Sequence, residues 1–326
     1  MRCVIAPGDG TLHVEERPAP EPGPGEVRVR VHGAGINRAD LLQRAGLYPA
    51  PPGSPADIPG LEFAGEIDAI GAGVDPTRMG AAVFGVTGGG GQAQQVVVPD
   101  AHAAPVPTGV DLVTAGGIPE VFVTAHDAMR TRGRLAAGEH VLVHAVGSGV
   151  GTAVVQLAKA FGCTVTGTAR TESKLADAAT LGMDHGILAP RELEPFAFAG
   201  EIAAHGGPPD VVIDLVGGPY VPAEVTAIAP GGRIVIVGTL AGGNPAVPLL
   251  GLMQKRAELH GTVLRPRSVE DKAAATDAFV AEVVPMLESG KVRPVVDRTF
   301  PIDDVGAAYD LVATDTTFGK VVLDCR

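Results

Sequence analysis

Three cysteines stand in the 326 residues, Cys3, Cys163 and Cys325, and they are far apart with no CxxC pair. That scarcity argues against a structural zinc knot and against a secreted disulfide framework. No apolar run reaches membrane-spanning length without Gly, Pro or charge, and Met1-Arg2-Cys3-Val4-Ile5 runs at once into Pro7, Gly8 and Gly10, with no signal-peptide core. Basic residues are in deficit, 25 Lys and Arg against 37 Asp and Glu, for a formal net charge of −12. Such a surface repels nucleic acid and anionic membrane, so neither is expected as a partner. An anionic cofactor would then need a local positive site. The expectation is a cytoplasmic protein.

What is present is a folded chain of two domains, 45% hydrophobic and only 19% charged. Val27, Val29 and Val31 alternate with Arg28, Arg30 and His32, the period-two pattern of a half-buried strand. Short apolar runs follow at 61–70, 81–86 and 95–98, separated by turns rich in proline and glycine, with one short helix at 38–44. This reads as a small β-barrel or sandwich. After a helix at 120–130, strands (140–146, 164–169, 211–216, 233–237) alternate with helices (151–161, 173–181, 221–228), and a strand at 258–264 closes the series. Short connections between alternating elements imply a parallel, doubly wound Rossmann sheet. The tail offers a helix at 270–287 and strands at 295–300 and 320–323, which suit a return to the first domain. The expected organisation is therefore a β-rich substrate domain over 1–118, a dinucleotide-binding domain over 119–264 inserted into it, and a return over 265–326.

The richest stretch is His140-Val-Leu-Val-His-Ala-Val-Gly-Ser-Gly-Val-Gly-Thr-Ala. A strand meets a glycine turn and then a helix, so Ser148, Gly149, Val150 and Gly151 are candidates to receive a pyrophosphate on backbone N–H groups. Thr152 stands where a third glycine of GxGxxG would fall. At the end of the next strand, Thr168, Arg170, Thr171 and Lys174 occupy the region where an NAD enzyme carries an acidic residue, and they point to NADPH through a phosphate on the ribose. Gly238, Thr239 and Leu240 follow a later strand at its carboxyl end, where ligands sit in such sheets.

These residues resemble a known family. Gly35-Ile-Asn-Arg-Ala-Asp-Leu-Leu-Gln-Arg-Ala-Gly-Leu-Tyr-Pro, Pro59-Gly-Leu-Glu, Gly89-Gly-Gly-Gln-Ala-Gln and the glycine turn are similar to the quinone oxidoreductases of the medium-chain dehydrogenase/reductase superfamily, nearest the tumour-suppressor-induced branch. The resemblance runs along nearly the whole chain and implies a GroES-like β-rich domain carrying the Rossmann insertion. It also implies that zinc is not used, because Asn37 stands where zinc members carry cysteine and Leu61 where they carry histidine. The nine histidines show no HxxxH spacing.

The resemblance places Asn37, Tyr48 and Arg265 in catalytic positions around the nicotinamide, with Thr124 and Leu264 beside the cofactor. Asn37 has a second reading as a helix N-cap with Asp40 at the third helical position. Arg265 is read as steadying a phosphate or an oxyanion. His185 to Pro190 lacks the tyrosine that often packs on the adenosine phosphate in NADPH relatives. Without a metal, the expected acceptor is a quinone or an enone, reduced by hydride transfer in a homodimer or homotetramer that pairs through the strand at 258–264. An enoyl-thioester reductase of fatty-acid or polyketide metabolism is the enzymatic alternative, and a non-catalytic NADPH-binding protein the alternative from another class.

Overall fold

A computed structural model describes residues 1–326. Along the chain the elements are β1 (Arg2–Ile5), β2 (His13–Glu16), β3 (Glu26–Ile36), α1 (Arg38–Arg44), β4 (Glu62–Ile70), β5 (Ala82–Val86), β6 (Gln95–Pro99), β7 (Ala104–Pro105), α2 (Leu112–Ala115) and α3 (Pro119–His126). Then come β8 (His140–Val143), α4 (Gly149–Ala160), β9 (Thr164–Ala169), α5 (Glu172–Thr180), β10 (His185–Leu188), α6 (Pro195–Ala204), β11 (Val211–Asp214), α7 (Tyr220–Ala227), β12 (Arg233–Ile236), α8 (Leu249–Lys255) and β13 (Glu258–Gly261). The tail holds α9 (Val269–Glu282), α10 (Val284–Glu288), β14 (Val296–Pro301), α11 (Val305–Ala313) and β15 (Lys320–Asp324). Two compact units result: Met1–Val123 with Leu264–Gly290 and Pro294–Arg326, and Thr124–Val263 with Lys291–Arg293.

The first unit is built on the sheet β14-β15-β3-β4-β5-β7, with β6 paired to β3. Every pairing is antiparallel except β14 with β15. The alternation in β3 sends Val27, Val29 and Val31 into a core with Phe63, Ile67 and Tyr309. Arg28 and Arg30 stay on the wetter side. This is the GroES-like β-rich domain.

The second unit is the Rossmann-type domain, a six-stranded sheet in the order β10-β9-β8-β11-β12-β13 with every pair parallel. Helices on both faces demand strands that are apolar throughout. His140-Val-Leu-Val and Val211-Val-Ile-Asp are accordingly buried at every position. Strand β8 is shorter than its apolar run because the chain turns out of the sheet at Ala145, whose φ is +54°. Strand β13 likewise stops at Gly261, short of the expected 264.

Beneath this sheet runs a buried polar chain. The Thr168 hydroxyl lies 3.0 Å from His144 Nδ1, and His144 Nε2 lies 3.0 Å from Glu224 Oε1. Burial pushes the carboxyls of Glu224 and Asp214 well up, and Glu224 raises Asp214 further; burial pulls His144 down to about 4. A carboxyl whose folded pKa is raised contributes stability that is complete below its unfolded pKa, near 4, and is lost as pH rises through the folded value. Histidine contributes in the opposite sense, its stability being present above about 6.5 and lost toward acid. Glu224→Gln should therefore flatten the loss of stability between about pH 4 and pH 8 and leave the acid loss from His144 in place. Urea midpoints across that range check it; an unchanged alkaline slope would show that Glu224 is ionised in the folded protein.

Candidate active site

The glycine turn in the Rossmann domain is shaped to receive an anion. Ser148 caps α4, its Oγ accepting from the Gly151 N–H at 3.0 Å, while the Thr152 N–H donates to the Ser148 carbonyl at 2.9 Å. The N–H groups of Gly149 and Val150 have no partner in the protein, so two donors stand free at the positive end of a twelve-residue helix. A Cβ on Gly151 would run into the Ala145 carbonyl and come within 2.8 Å of the Val146 Cα, which keeps that position glycine. One on Gly147 would meet Lys174 Cδ at 2.6 Å, so the Lys174 side chain crosses directly over the turn. Lys174 and the exposed Arg170 put two positive charges on this side of a chain of net charge −12, with the exposed Thr171 between them in sequence.

At the carboxyl ends of β12 and β13 an open hollow of 350 Å³ is lined by Gly238, Thr239, Gly261, Thr262 and Val263 among others. The expected Gly238 and Thr239 belong to it, whereas Leu240 is 59% exposed beyond its lining. Thr124 is partly buried on α3, next to a wider π-helical turn over Asp127–Arg132. The Thr168 side chain turns inward to His144, and its carbonyl accepts from the Val146 N–H at 3.0 Å, so the structure buries it within the sheet. Leu264 lies in the other unit and is buried. These residues fit a dinucleotide: paired free N–H groups, a glycine that admits close approach, and a lysine side chain over the turn.

In the GroES-like domain the expected catalytic residues gather around two buried centres. Asn37 is the N-cap of α1, and its N–H donates to Asp40 Oδ2 at 2.7 Å. Its side-chain amide is spent elsewhere: Nδ2 donates to Glu62 Oε1 at 2.9 Å and Oδ1 accepts from Lys320 Nζ at 2.7 Å. Lys320 also sits 2.7 Å from Glu62 Oε1 and donates to the Ile36 carbonyl at 2.8 Å. The Glu120 N–H takes Glu62 Oε2 at 2.9 Å. Asn37 therefore serves both as cap and as the bridge of a buried ion pair.

Arg265 forms the second centre. Its guanidinium is buried and donates to the Gly88 carbonyl (2.8 Å), the Tyr48 carbonyl (3.0 Å) and Gln43 Oε1 (2.6 Å), and it lies 4.8 Å from the centre of the Tyr48 ring. Each of its three nitrogens donates once within the domain, so the guanidinium fastens the loop of Tyr48, the loop of Gly88 and helix α1 together. Burial raises the Tyr48 phenol, keeping it a donor at neutral pH.

The sequence matches the alcohol dehydrogenase GroES-like domain over residues 23–108 and the zinc-binding dehydrogenase domain over 149–280. It is 30% identical to the quinone oxidoreductase-like protein 2 homolog of Nematostella vectensis over 91% of this chain and 80% of that one. The chain belongs to the quinone oxidoreductase family. The quinone oxidoreductase of Thermus thermophilus, solved also as its complex with NADPH, is 31% identical and superposes with a TM-score of 0.83 over 99% of this chain and 100% of that one. A stretch of pikromycin polyketide synthase component PikAII from Streptomyces venezuelae is 33% identical over 98% of this chain, which spans 8% of that protein.

The protein is thus an NAD(P)H-dependent oxidoreductase of the quinone-oxidoreductase type within the medium-chain dehydrogenase/reductases. No group of three or more His, Cys, Asp or Glu side chains is placed to hold a metal ion. No helix is long and apolar enough to cross a membrane. Sequence reasoning did not single out Lys320, Gln43 or Glu120. The signal for Lys320 is a lone lysine opening the otherwise apolar run Lys320-Val-Val-Leu, which is buried from Lys320 to Leu323.

Proposed function

We propose that this enzyme uses NADPH to reduce quinones or enones without a metal, in the manner of the tumour-suppressor-induced branch. The observation that carries the reading is the state of Asn37. At the position where zinc relatives carry a ligand, its amide is consumed by Glu62 and Lys320. Without a Lewis acid a simple carbonyl is poorly activated, and a quinone or an alkene conjugated to a carbonyl accepts hydride unaided. The cofactor supplies that hydride. Gly149, Val150 and the Ser148-capped turn hold the pyrophosphate, Arg170, Thr171 and Lys174 the ribose phosphate, and Thr124, Gly238 and Thr239 the nicotinamide end. Tyr48, protonated and pinned by Arg265, positions the acceptor carbonyl.

The test is the rate of NADPH and NADH oxidation with an ortho-quinone, an enone and an enoyl thioester offered in parallel. Quinone or enone turnover favouring NADPH is expected; tight NADPH binding with none of the three turned over overturns the reading. A charge-assisted hydrogen bond contributes about 1.5–3 kcal/mol, so Arg170→Ala and Lys174→Ala should each raise the KM for NADPH about tenfold or more. The KM for NADH should hardly move. Equal losses for both cofactors would remove these residues from the phosphate site.

A second reading, an enoyl-thioester reductase, is favoured by the likeness to the polyketide synthase component, and the thioester arm of the assay decides it. We also propose a cytoplasmic homodimer or homotetramer. Its support is β13, the last strand of the sheet, whose outer edge is unpaired and flanked by the exposed Leu259 and Val263.

A further inference from the structure

Asp214 is a buried acid that the proposed reaction leaves unused. It closes β11, where Val211-Val-Ile-Asp meets the turn Leu215-Val216-Gly217-Gly218. The residue is fully buried. A carboxyl carried that deep needs hydrogen bonds to offset the water it gives up. Asp214 finds them in the turn directly after it. Its Oδ1 accepts from the Val216 N–H at 2.7 Å and the Gly217 N–H at 2.9 Å, and its Oδ2 lies 3.0 Å from the same Gly217 nitrogen. The backbone is left-handed at both glycines, with φ of +68° at Gly217 and +58° at Gly218. Two consecutive glycines have wide conformational freedom of their own, so the Asp214 side chain is what holds the turn in this shape.

The turn in its turn carries the loop that lines the hollow at the ends of β12 and β13. The Ala241 N–H donates to the Val216 carbonyl at 2.8 Å, and the Gly218 N–H donates to the Gly242 carbonyl at 2.9 Å. Where the loop begins, the Val237 and Gly238 N–H groups both donate to the Asp214 carbonyl, at 2.8 and 3.2 Å. The two segments touch backbone to backbone. A Cβ on Gly217 would lie 3.0 Å from Thr239 Cα, and one on Gly218 would lie 2.4 Å from the Ala241 carbonyl oxygen. The loop over 238–242 thus enters on the main chain of Asp214 and leaves on the turn that the Asp214 side chain fixes. Gly238 and Thr239, between these anchors, line the hollow.

We propose that Asp214 is a positioning residue for the cofactor: through the turn at 216–218 it holds Gly238 and Thr239 where the nicotinamide end of the dinucleotide lies against them. This rests on the placement of that end given under the proposed function. Asp214 itself makes no bond to the cofactor. Its grip needs an acceptor oxygen rather than a charge, because Oδ1 alone meets both N–H groups. Asparagine supplies that oxygen and alanine does not.

The experiment compares two ligands on the same folded protein: NADPH, followed by its nicotinamide fluorescence, and adenosine 2′,5′-bisphosphate, which carries the adenosine end alone, followed by calorimetry. Asp214→Ala is expected to weaken NADPH about tenfold or more, to lower kcat by a similar factor, and to leave the bisphosphate within about threefold of wild type. Asp214→Asn should bring all three back to within about threefold. A general loss of fold would weaken both ligands alike and would not be rescued by asparagine. The proposal is overturned if Asp214→Ala binds NADPH as the wild type does, if both ligands weaken together, or if Asp214→Asn is as damaged as Asp214→Ala. Should Asp214→Ala fail to fold, Gly218→Ala, whose Cβ would push Ala241 away, disturbs the same turn from its other side and must show the same split between the ligands. Thr239→Trp tests the placement of the nicotinamide end separately, by filling the hollow. NADPH bound as tightly by Thr239→Trp as by the wild type defeats that placement and this proposal with it; NADPH excluded by Thr239→Trp but untouched by Asp214→Ala defeats this proposal alone.

Discussion

Lys320→Met should destabilise the protein by about 3–5 kcal/mol, the cost of stranding a buried charge. Lys320 and Glu62 are 4% and 0% exposed in their side chains and 2.7 Å apart. Removing the ammonium leaves the Glu62 carboxylate with only two donors, the Asn37 amide and the Glu120 N–H. It also strips the Ile36 carbonyl and Asn37 Oδ1 of a partner. Glu62→Gln should cost less, because Lys320 keeps those two acceptors. Combining the two should recover a large part of the loss, since neither charge then has to be desolvated, and the coupling in the double-mutant cycle measures the pair. Urea unfolding followed by circular dichroism checks this. A Lys320→Met loss under about 1 kcal/mol would mean that the pair is hydrated in solution. The same change would loosen Asn37, so a fall in acceptor turnover should accompany the fall in stability.

The parts of this architecture that were legible in the sequence are those governed by near neighbours. Helix α1 and strand β9 have the bounds their patterns predict, because period and turn residues specify them locally. Helix α4 begins at Gly149, two residues before the expected start, since Ser148 rather than a later residue supplies the cap. The helix expected over 270–287 is broken at Val283, where Pro285 lacks the N–H that would continue the ladder. Strand β10 and helices α6 and α11 went unread: His185-Gly-Ile-Leu is a four-residue strand with a single buried position, and α6 is apolar on nearly every side, without a clear stripe. The substrate-side site was hidden for a different reason. Asn37 and Lys320 are 283 positions apart, and Arg265 meets Gln43 across 222. No local pattern encodes such pairs. Thr168 shows the limit of position alone: strand alternation buries its hydroxyl against His144, although it stands only two residues before Arg170 in sequence.

Arg265→Lys should be among the most damaging conservative changes in the substrate domain. A guanidinium reaches three acceptors on three segments at once, and a lysine has one nitrogen for all of them. The Gly88 carbonyl, the Tyr48 carbonyl and Gln43 Oε1 cannot all be served, and each buried acceptor left unmet costs about 1–3 kcal/mol. A loss of about 3 kcal/mol in stability is expected, with a rise in acceptor KM and a fall in kcat of about tenfold or more as the Tyr48 loop drifts from its position. NADPH affinity should be unchanged, because everything Arg265 holds lies in the substrate domain. Tyr48→Phe separates the two roles. The arginine grips the main-chain carbonyl and the ring face of Tyr48, both of which phenylalanine retains. Tyr48→Phe should therefore keep near-wild-type stability while lowering acceptor turnover, and Arg265→Lys should lose both. If Arg265→Lys instead weakened NADPH binding with stability intact, the guanidinium would be reaching a cofactor phosphate after all, and the clamp seen between the two loops and α1 would be only its resting arrangement.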